Sequence, residues 1–288
     1  MDFVLTALQA EILQVLGAIC FGSFLYCFIV GEITLNNSQM DKLWSILPAV
    51  YVWVIAGMGG MTPRLIVMAI LATLWGARLT YNFGRKGAYS IKFWSGEEDY
   101  RWVWLRGTKY FKSRAVWAIF DLVFIAFYQN VLVLLTTLPA LLCVGSAEAF
   151  NWIDVLATAL TFGFLVWETI ADEQQWKFQT TKWKMIKEGR KLEELPHPYC
   201  VGFNTTGLWG VCRHPNYLGE QGIWASFYIF SIAAGAGICN WSAAGAILLI
   251  LLFQGSAWLG ELISSKKYPA YAEYKKKVFK MLPLTFKK

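Results

Sequence analysis

Charged side chains are scarce in this chain. Only 16% of its 288 residues are Asp, Glu, Lys or Arg, whereas 57% are hydrophobic and 17% are aromatic. So few charges cannot cover the surface of a soluble domain of this size. The composition therefore predicts an integral membrane protein.

Sequence signatures of many common sites are also missing. The six cysteines include no CxxC pair and form no regular framework, so neither a zinc site nor a disulfide scaffold is expected. HExxH, GxSxG and P-loop patterns are absent, and no GxGxxG follows a strand pattern. No module that binds nucleic acid accompanies the basic residues. The first ten residues contain no Lys or Arg, so we expect neither a cleavable signal peptide nor a transit peptide.

Long apolar runs dominate the sequence instead. A helix needs about 20 mainly apolar residues to cross the hydrocarbon layer. Seven runs are candidates: 10–30, 43–58, 65–81, 115–138, 152–170, 218–236 and 243–262. The second and third are short, and Pro48 and Pro63 predict a kink or a re-entrant turn in them. The pattern predicts one all-α membrane domain over 1–288, with about seven transmembrane helices.

The basic residues are distributed unevenly between the two faces of this topology. With seven spans, one face holds 24 of the 26 Lys and Arg residues and has a formal charge of +13. By the positive-inside rule this face is cytoplasmic, or its organellar equivalent. Topology and anionic lipid alone would explain the charge, especially that of the tail lysines.

Two segments on the basic face have a distinct character. The fifth run continues without Pro or Gly to Gly189, which predicts a helix that projects about 27 Å beyond the membrane at 1.5 Å per residue. The stretch 86–114 is basic and aromatic, and is typical of an interfacial segment with Trp94, Trp102 and Trp104 at the headgroup level.

Ionisable residues inside spans are rare and costly, so each is a functional candidate. Five of them fall near the basic face: Arg78, Asp121, Glu168, Glu220 and Glu261. Each alone could be a hydrated residue at a span boundary. Together they predict a shared polar cavity that opens toward the cytoplasmic side.

The segment VCRHPNYLGE (211–220) lies at the rim of that cavity. Pro215 suits the first turn of a helix, which places the helix N-terminus beside Arg213 and His214. Helix N–H groups and a cationic pair favour phosphate. His214 could equally be an ordinary loop histidine that makes its hydrogen bonds within the protein.

Two pairs at helical spacing add polar groups to the same region. Asn216 and Glu220 are i and i+4, so they share a helix face. An amide with a carboxylate can recognise a carboxamide, because together they donate to its carbonyl and accept from its NH₂. Asn216 could instead cap the helix. Glu168 and Asp172 are also i and i+4, and Gln175 continues their stripe.

Three motifs carry a family resemblance. GLWGVCRHPNYLGEQGIW (207–224), ADEQQWKFQ (171–179) and EEDYRW (97–102) resemble the uncharacterised branch of the steroid 5-alpha-reductase-like membrane superfamily. The resemblance covers roughly the latter two-thirds of the chain, with a cofactor-binding part over 115–288. It implies a membrane enzyme that reduces an activated C=C bond of a lipid or steroid-like substrate with NADPH.

The resemblance also implies roles for individual residues. Asn216 and Glu220 would hold the nicotinamide carboxamide, and Tyr81 is the candidate proton donor. The remaining cofactor-binding candidates line the nucleotide, phosphate or ribose path: Glu168, Asp172, Arg213, His214 and Tyr217.

Two departures separate the chain from the steroid reductases proper. The run 43–58 contains no Asp or Glu to pair with a carbonyl-binding tyrosine, and Ala257 and Glu261 occupy the region where those enzymes carry a histidine. Steroid 5-alpha reduction in particular is therefore not implied.

Two other functions remain open. One is an isoprenylcysteine carboxyl methyltransferase-like enzyme that uses S-adenosylmethionine, because that family shares the RHPxY segment and a downstream glutamate. The other is a catalytically silent subunit of a larger membrane complex. The expected location of the chain is the endoplasmic reticulum membrane or another organelle membrane.

Overall fold

A computed structural model describes residues 5–282, and over these residues the chain is helical and contains no strand. Short 3₁₀ turns connect some of the longer elements. The α-helices are α1 Ala7–Thr34, α2 Gln39–Trp44, α3 Leu47–Met58, α4 Pro63–Gly84, α5 Tyr100–Arg106, α6 Arg114–Leu142, α7 Trp152–Lys187, α8 Pro215–Ala233, α9 Ala243–Lys267 and α10 Tyr271–Lys277.

Five of these helices are long and apolar enough to cross a membrane: α1, α4, α6, α7 and α9. The predicted spans 43–58 and 218–236 correspond to α3 and α8. Helix α3 has 12 residues and reaches only about 18 Å at 1.5 Å per residue. Helix α8 has 19 residues but begins with the polar sequence PNYLGEQ. A crossing by α3 or α8 stays a prediction.

Two prolines begin helices. Pro48 lies in the first turn of α3, and Pro63 is the first residue of α4, where Thr62 caps the helix through the N–H of Leu65. Proline is tolerated there because the N–H that it lacks has no partner within the helix. The predicted kink at these prolines is therefore wrong, because neither lies in the interior of a helix, whereas a re-entrant turn at this place stays a prediction.

The chain divides into two compact units. The first comprises Met1–Ala159 and Trp224–Leu249, and the second comprises Leu160–Ile223 and Ile250–Lys288. In the first unit α3 packs against α4 and α6, and α1 packs against α6. Ser23 of α1 donates a buried hydrogen bond to Asn130 of α6 at 2.6 Å. Helix α6 contains a π-helical stretch, Asp121–Tyr128.

A buried ion pair joins α4 to α7 in the first unit. Arg64 is 4% exposed, and its Nε and Nη2 atoms donate to the two carboxylate oxygens of Asp154 at 2.7 and 2.8 Å. The same guanidinium donates to the carbonyl oxygens of Glu148, Ala149 and Ala233. A buried cation is tolerated when it is paired and hydrogen-bonded in this way.

The stretch between α4 and α6 also belongs to the first unit. Trp94 is 49% exposed, in agreement with an interfacial position. Trp102 is only 6% exposed, and its indole N–H donates to Asp41 at 2.8 Å. The side chain of Trp102 is therefore packed inside the protein, and the headgroup-level position of the segment stays a prediction.

In the second unit the long helix α7 continues to Lys187, as the sequence predicts. The irregular stretch 188–214 is fastened to its neighbours. Lys182 of α7 is 2% exposed and donates to the carbonyl oxygen of Gly202 at 2.7 Å. A cluster made of Phe203, Tyr271, Tyr274 and Val278 packs α10 against this stretch.

Candidate functional site

Helix α7 presents a buried polar stripe in the second unit. Glu168 is 5% exposed and Asp172 is 9% exposed. Gln175 lies one turn further on, at the i+7 position from Glu168, and its Oε1 atom is buried. Among the described residues this oxygen has no hydrogen-bond partner. The stripe therefore offers acceptor groups in a buried environment.

The N-terminal turns of α8 carry a second polar face. Pro215 begins the helix, and Glu220 is 3% exposed. The side-chain oxygen of Asn216, one turn before Glu220, is buried and has no hydrogen-bond partner within residues 5–282. Burying an amide oxygen without a hydrogen-bond partner costs free energy. A bound molecule that donates a hydrogen bond to this oxygen would remove that cost.

Glycines bring the two polar faces together. A Cβ atom on Gly219 would lie 2.6 Å from Cβ and 3.1 Å from Cα of Glu168, and one on Gly222 would overlap the ring of Phe164. Only glycine fits such an approach of two helix backbones. Glu168 therefore lies directly against the turn of α8 that separates Asn216 from Glu220.

Glu261 lies near the end of α9 that is predicted to face the cytoplasm, and its carboxylate contacts three basic side chains. Glu261 is 5% exposed, and its Oε1 atom accepts from Nε of Arg213 at 2.8 Å and lies 3.0 Å from Nε2 of His214. Its Oε2 atom lies 3.2 Å from Nζ of Lys275. We call Arg213, His214, Glu261 and Lys275 the Glu261 cluster.

The C-terminal segment lies along the same place. The backbone N–H groups of Arg213 and His214 donate to the carbonyl oxygens of Phe279 and Lys280 at 2.8 and 3.1 Å. The Nη1 atom of Arg213 also donates to the carbonyl oxygens of Lys275 and Val278. The Nε and Nη1 atoms of Arg213 thus donate hydrogen bonds within the protein. Its Nη2 amino group makes no hydrogen bond to a described residue.

His214 is held in its neutral form by this environment. Burial lowers the pKa of His214, although the hydrogen bond and the charge of Glu261 act in the opposite direction. A neutral imidazole that bonds a carboxylate through Nε2 must carry its proton there. The ring also stacks on Tyr217, with centroids 5.2 Å apart, and Tyr217 packs edge-on against Phe253.

Comparison with known proteins places the chain in a family. Residues 27–278 match the family described as a protein of unknown function, DUF1295. The chain belongs to this family. It is also 35% identical, over 286 residues, to an uncharacterised protein of Schizosaccharomyces pombe; the match covers 90% of this chain and 78% of that protein. No solved structure matches the chain.

In this DUF1295 chain the seven predicted cofactor-binding residues all lie in the second unit. The structure brings Glu168 against the α8 turn that carries Asn216 and Glu220, and it brings Arg213 and His214 together at Glu261. Their roles toward a cofactor stay predictions. Neither the description of the family nor that of the relative names a reaction.

The candidate proton donor Tyr81 lies in the first unit. Its side chain is 64% exposed, and the guanidinium of Arg85 lies 5.2 Å from the ring centroid. A different tyrosine of that unit, Tyr51, is fully buried beside Cys20. No described residue makes a hydrogen bond of normal geometry with its hydroxyl. No sequence pattern singles out Tyr51, because an aromatic residue in an apolar run is typical of a helix core.

Proposed function

We propose that this DUF1295 protein is a membrane oxidoreductase that reduces an activated C=C bond of a lipid with NADPH. The buried, unpartnered side-chain oxygen of Asn216 carries the proposal. It lies one helical turn from the buried carboxylate of Glu220, and the contact at Gly219 places Glu168 beside both. The family resemblance of the segment 211–220 supports the same assignment.

The chemistry of these groups fits a nicotinamide carboxamide. The Asn216 oxygen and the Glu220 carboxylate accept from the two N–H bonds of the carboxamide, and the Asn216 amino group donates to its carbonyl. When bound, NADPH supplies a hydride. The residues of the chain hold the dinucleotide, exclude water and direct the hydride toward the lipid.

The substrate needs a proton as well as a hydride. The hydride adds to the β carbon of an enone, the electron pair of the C=C bond moves to the carbonyl oxygen, and the enolate then takes a proton from a donor. Tyr81 is the proposed proton donor. Tyr51, whose hydroxyl is buried, is the alternative donor that the test compares with it. Tyr81→Phe should abolish turnover and leave NADPH binding intact, whereas activity lost only in Tyr51→Phe would reassign the role.

The first test measures cofactor binding. NADPH is titrated into the purified full chain, and energy transfer from tryptophan to NADPH is recorded. Glu220→Gln should weaken binding about 10- to 100-fold, because it removes a charge-assisted hydrogen bond. Glu173→Gln is the matched control, since Glu173 is exposed on the same helix as Glu168. Unchanged binding in Glu220→Gln would refute the assignment.

S-adenosylmethionine is the rival ligand, and Asn216→Asp separates the two. Aspartate keeps an acceptor but loses the amide donor, so a carboxamide should bind more weakly. A ligand with a sulfonium and an ammonium group should bind as well or better, because the site gains negative charge. Thermal stabilisation by S-adenosylmethionine alone would favour the methyltransferase. A stable complex with other subunits and affinity for neither molecule would favour the silent subunit.

The proposed membrane arrangement follows from the same assignment. Seven helices cross an organelle membrane such as that of the endoplasmic reticulum, the basic loops face the cytoplasm, and the cofactor cavity opens to that side. Labelling of single cysteines introduced at 92 and at 147 with an impermeant reagent should give opposite accessibility. Equal accessibility from one side would overturn this topology.

A further inference from the structure

The loop 85–113, which we call the basic loop, presents apolar side chains to its surroundings. Ile91 is fully exposed and Trp94 is half exposed. Three further large side chains of the loop are also exposed: Tyr100, Val103 and Tyr110. Exposed apolar groups clustered in one loop mark an interaction surface more strongly than single ones do.

Buried polar residues hold the tip of the basic loop in place. Lys42 is completely buried, and its Nζ atom donates to the carbonyl oxygens of Phe93 and Ser95 at 2.9 and 2.8 Å. The amide of Gln39 donates to the carbonyl oxygen of Trp94 at 2.9 Å. These bonds fix the backbone of the tip and leave the side chains of Ile91 and Trp94 outside.

Two of the three carboxylates of the basic loop, Glu98 and Asp99, are engaged within the protein, whereas Glu97 is exposed. Glu98 pairs with Arg106 and accepts from the backbone N–H of Asn37. Asp99 pairs with Arg101 at 2.9 Å. The negative charges of Glu98 and Asp99 are thereby compensated by two arginines of the same loop.

Lysines of the loop point outward instead. Lys92, Lys109 and Lys112 are exposed, and none of them forms an ion pair with a described residue. Lys109 lies over the ring of Tyr110 at 5.3 Å from its centroid. The outer face of the basic loop therefore combines net positive charge with aromatic and aliphatic groups.

We propose that the outer face of the basic loop binds the headgroups of anionic phospholipids. The basic loop, which includes the short helix α5, connects α4 to α6, and both of these helices are long and apolar enough to cross a membrane. It is consequently tethered at both ends to the edge of a bilayer. Lysines beside tryptophan, tyrosine and isoleucine match the phosphate and upper acyl layers of such a lipid. This proposal does not depend on the proposed reaction.

The test uses the detergent-purified full chain, titrated with phosphatidylglycerol and separately with phosphatidylcholine. Bound lipid is counted by native mass spectrometry at several salt concentrations. The triple variant Lys92→Gln, Lys109→Gln, Lys112→Gln should bind phosphatidylglycerol at least tenfold more weakly, with a shallower salt dependence. Its affinity for phosphatidylcholine should not change.

Two further variants keep the result interpretable. The double variant Ile91→Ser, Trp94→Ser should lower the affinity for both lipids, because it removes apolar contact and no charge. A matched control removes three exposed lysines of α7 and should leave the phosphatidylglycerol affinity of the loop unchanged: Lys177→Gln, Lys184→Gln and Lys187→Gln. A thermal midpoint equal to that of the unmodified chain shows that each variant is folded.

Three outcomes would overturn the proposal. In the first, the triple loop variant binds phosphatidylglycerol as well as the unmodified chain. In the second, the α7 control loses as much affinity as the loop variant, so that net charge alone is responsible. In the third, an acidic protein copurifies with the chain through the basic loop, and the loop shows no preference for the anionic lipid.

Discussion

Replacing Glu261 by glutamine should destabilise the second unit strongly. The carboxylate is 5% exposed and contacts Arg213, His214 and Lys275 at 2.8 to 3.2 Å. Glutamine keeps one acceptor but directs an NH₂ group at a cation, and it leaves the guanidinium of Arg213 buried without its counter-charge. Removing one partner of a buried pair costs about 3–5 kcal/mol. We expect the lower end, because carbonyl oxygens of Lys275 and Val278 still hold Arg213.

The assay combines unfolding with hydrogen exchange. Denaturant or thermal unfolding of the detergent-solubilised chain, followed by tryptophan fluorescence, gives the loss of stability. Hydrogen exchange should rise in Arg213 and His214, whose N–H groups bond the C-terminal segment. Glu273→Gln is the control, since its side chain is 61% exposed and its partner Lys276 is 72% exposed. Such surface pairs contribute little, so no measurable change is expected.

The reasoning would be refuted by either of two results. One is a midpoint for Glu261→Gln that matches that of the Glu273→Gln control. The other is a lowered midpoint with unchanged exchange at 213–214, which would mean that Glu261 stabilises the bundle without positioning this segment.

Three further predictions concern other contacts. Asp154→Asn should lower stability by about 3 kcal/mol, because Arg64 stays buried without a counter-charge; thermal unfolding measures this, and Asp154→Asn without effect would contradict it. Gly219→Ala should separate α8 from α7, because the new Cβ would lie 2.6 Å from that of Glu168; both the unfolding midpoint and NADPH affinity should fall. For His214 burial lowers the folded pKa below the unfolded value of about 6.5, so only the unfolded chain takes up the proton as the pH falls through 6.5. Stability should therefore decrease from pH 7.5 to pH 5.5, and His214→Gln should flatten that slope.

The long apolar helices of this fold were predictable because their signals are local. Apolar runs of about 20 residues carry enough hydrophobic free energy to define spans without tertiary information. The extension of α7 was predictable for the same reason, since nothing between Ala171 and Lys187 breaks a helix. The error at Pro63 also arises locally: a proline reads as a kink or as a first turn according to where the helix begins, and the position of the Thr62 cap decides which.

Contacts between distant segments could not be read from the sequence. Arg64 and Asp154 are 90 positions apart, and no pattern in the sequence links them. The sequence marks Glu261 as an ionisable residue in a span. Its ion pair with Arg213 could not be predicted, because it depends on how α9 packs beside the segment 211–220. Spacing along one helix did predict the shared faces of Glu168 with Asp172 and of Asn216 with Glu220.

The balance of donors and acceptors in the second unit narrows what the site can bind. The two side chains expected to meet phosphate are largely engaged by the protein: Arg213 by Glu261 and backbone carbonyls, and the neutral His214 by Glu261. The buried oxygens of Asn216 and Gln175 accept from no described residue. A ligand that offers only acceptors would leave these oxygens unpaired, at a cost of about 1–3 kcal/mol each. The proposed site should therefore favour a molecule that presents N–H or O–H donors to these oxygens, and a phosphate group would meet the remaining amino group of Arg213 and the N-terminus of α8.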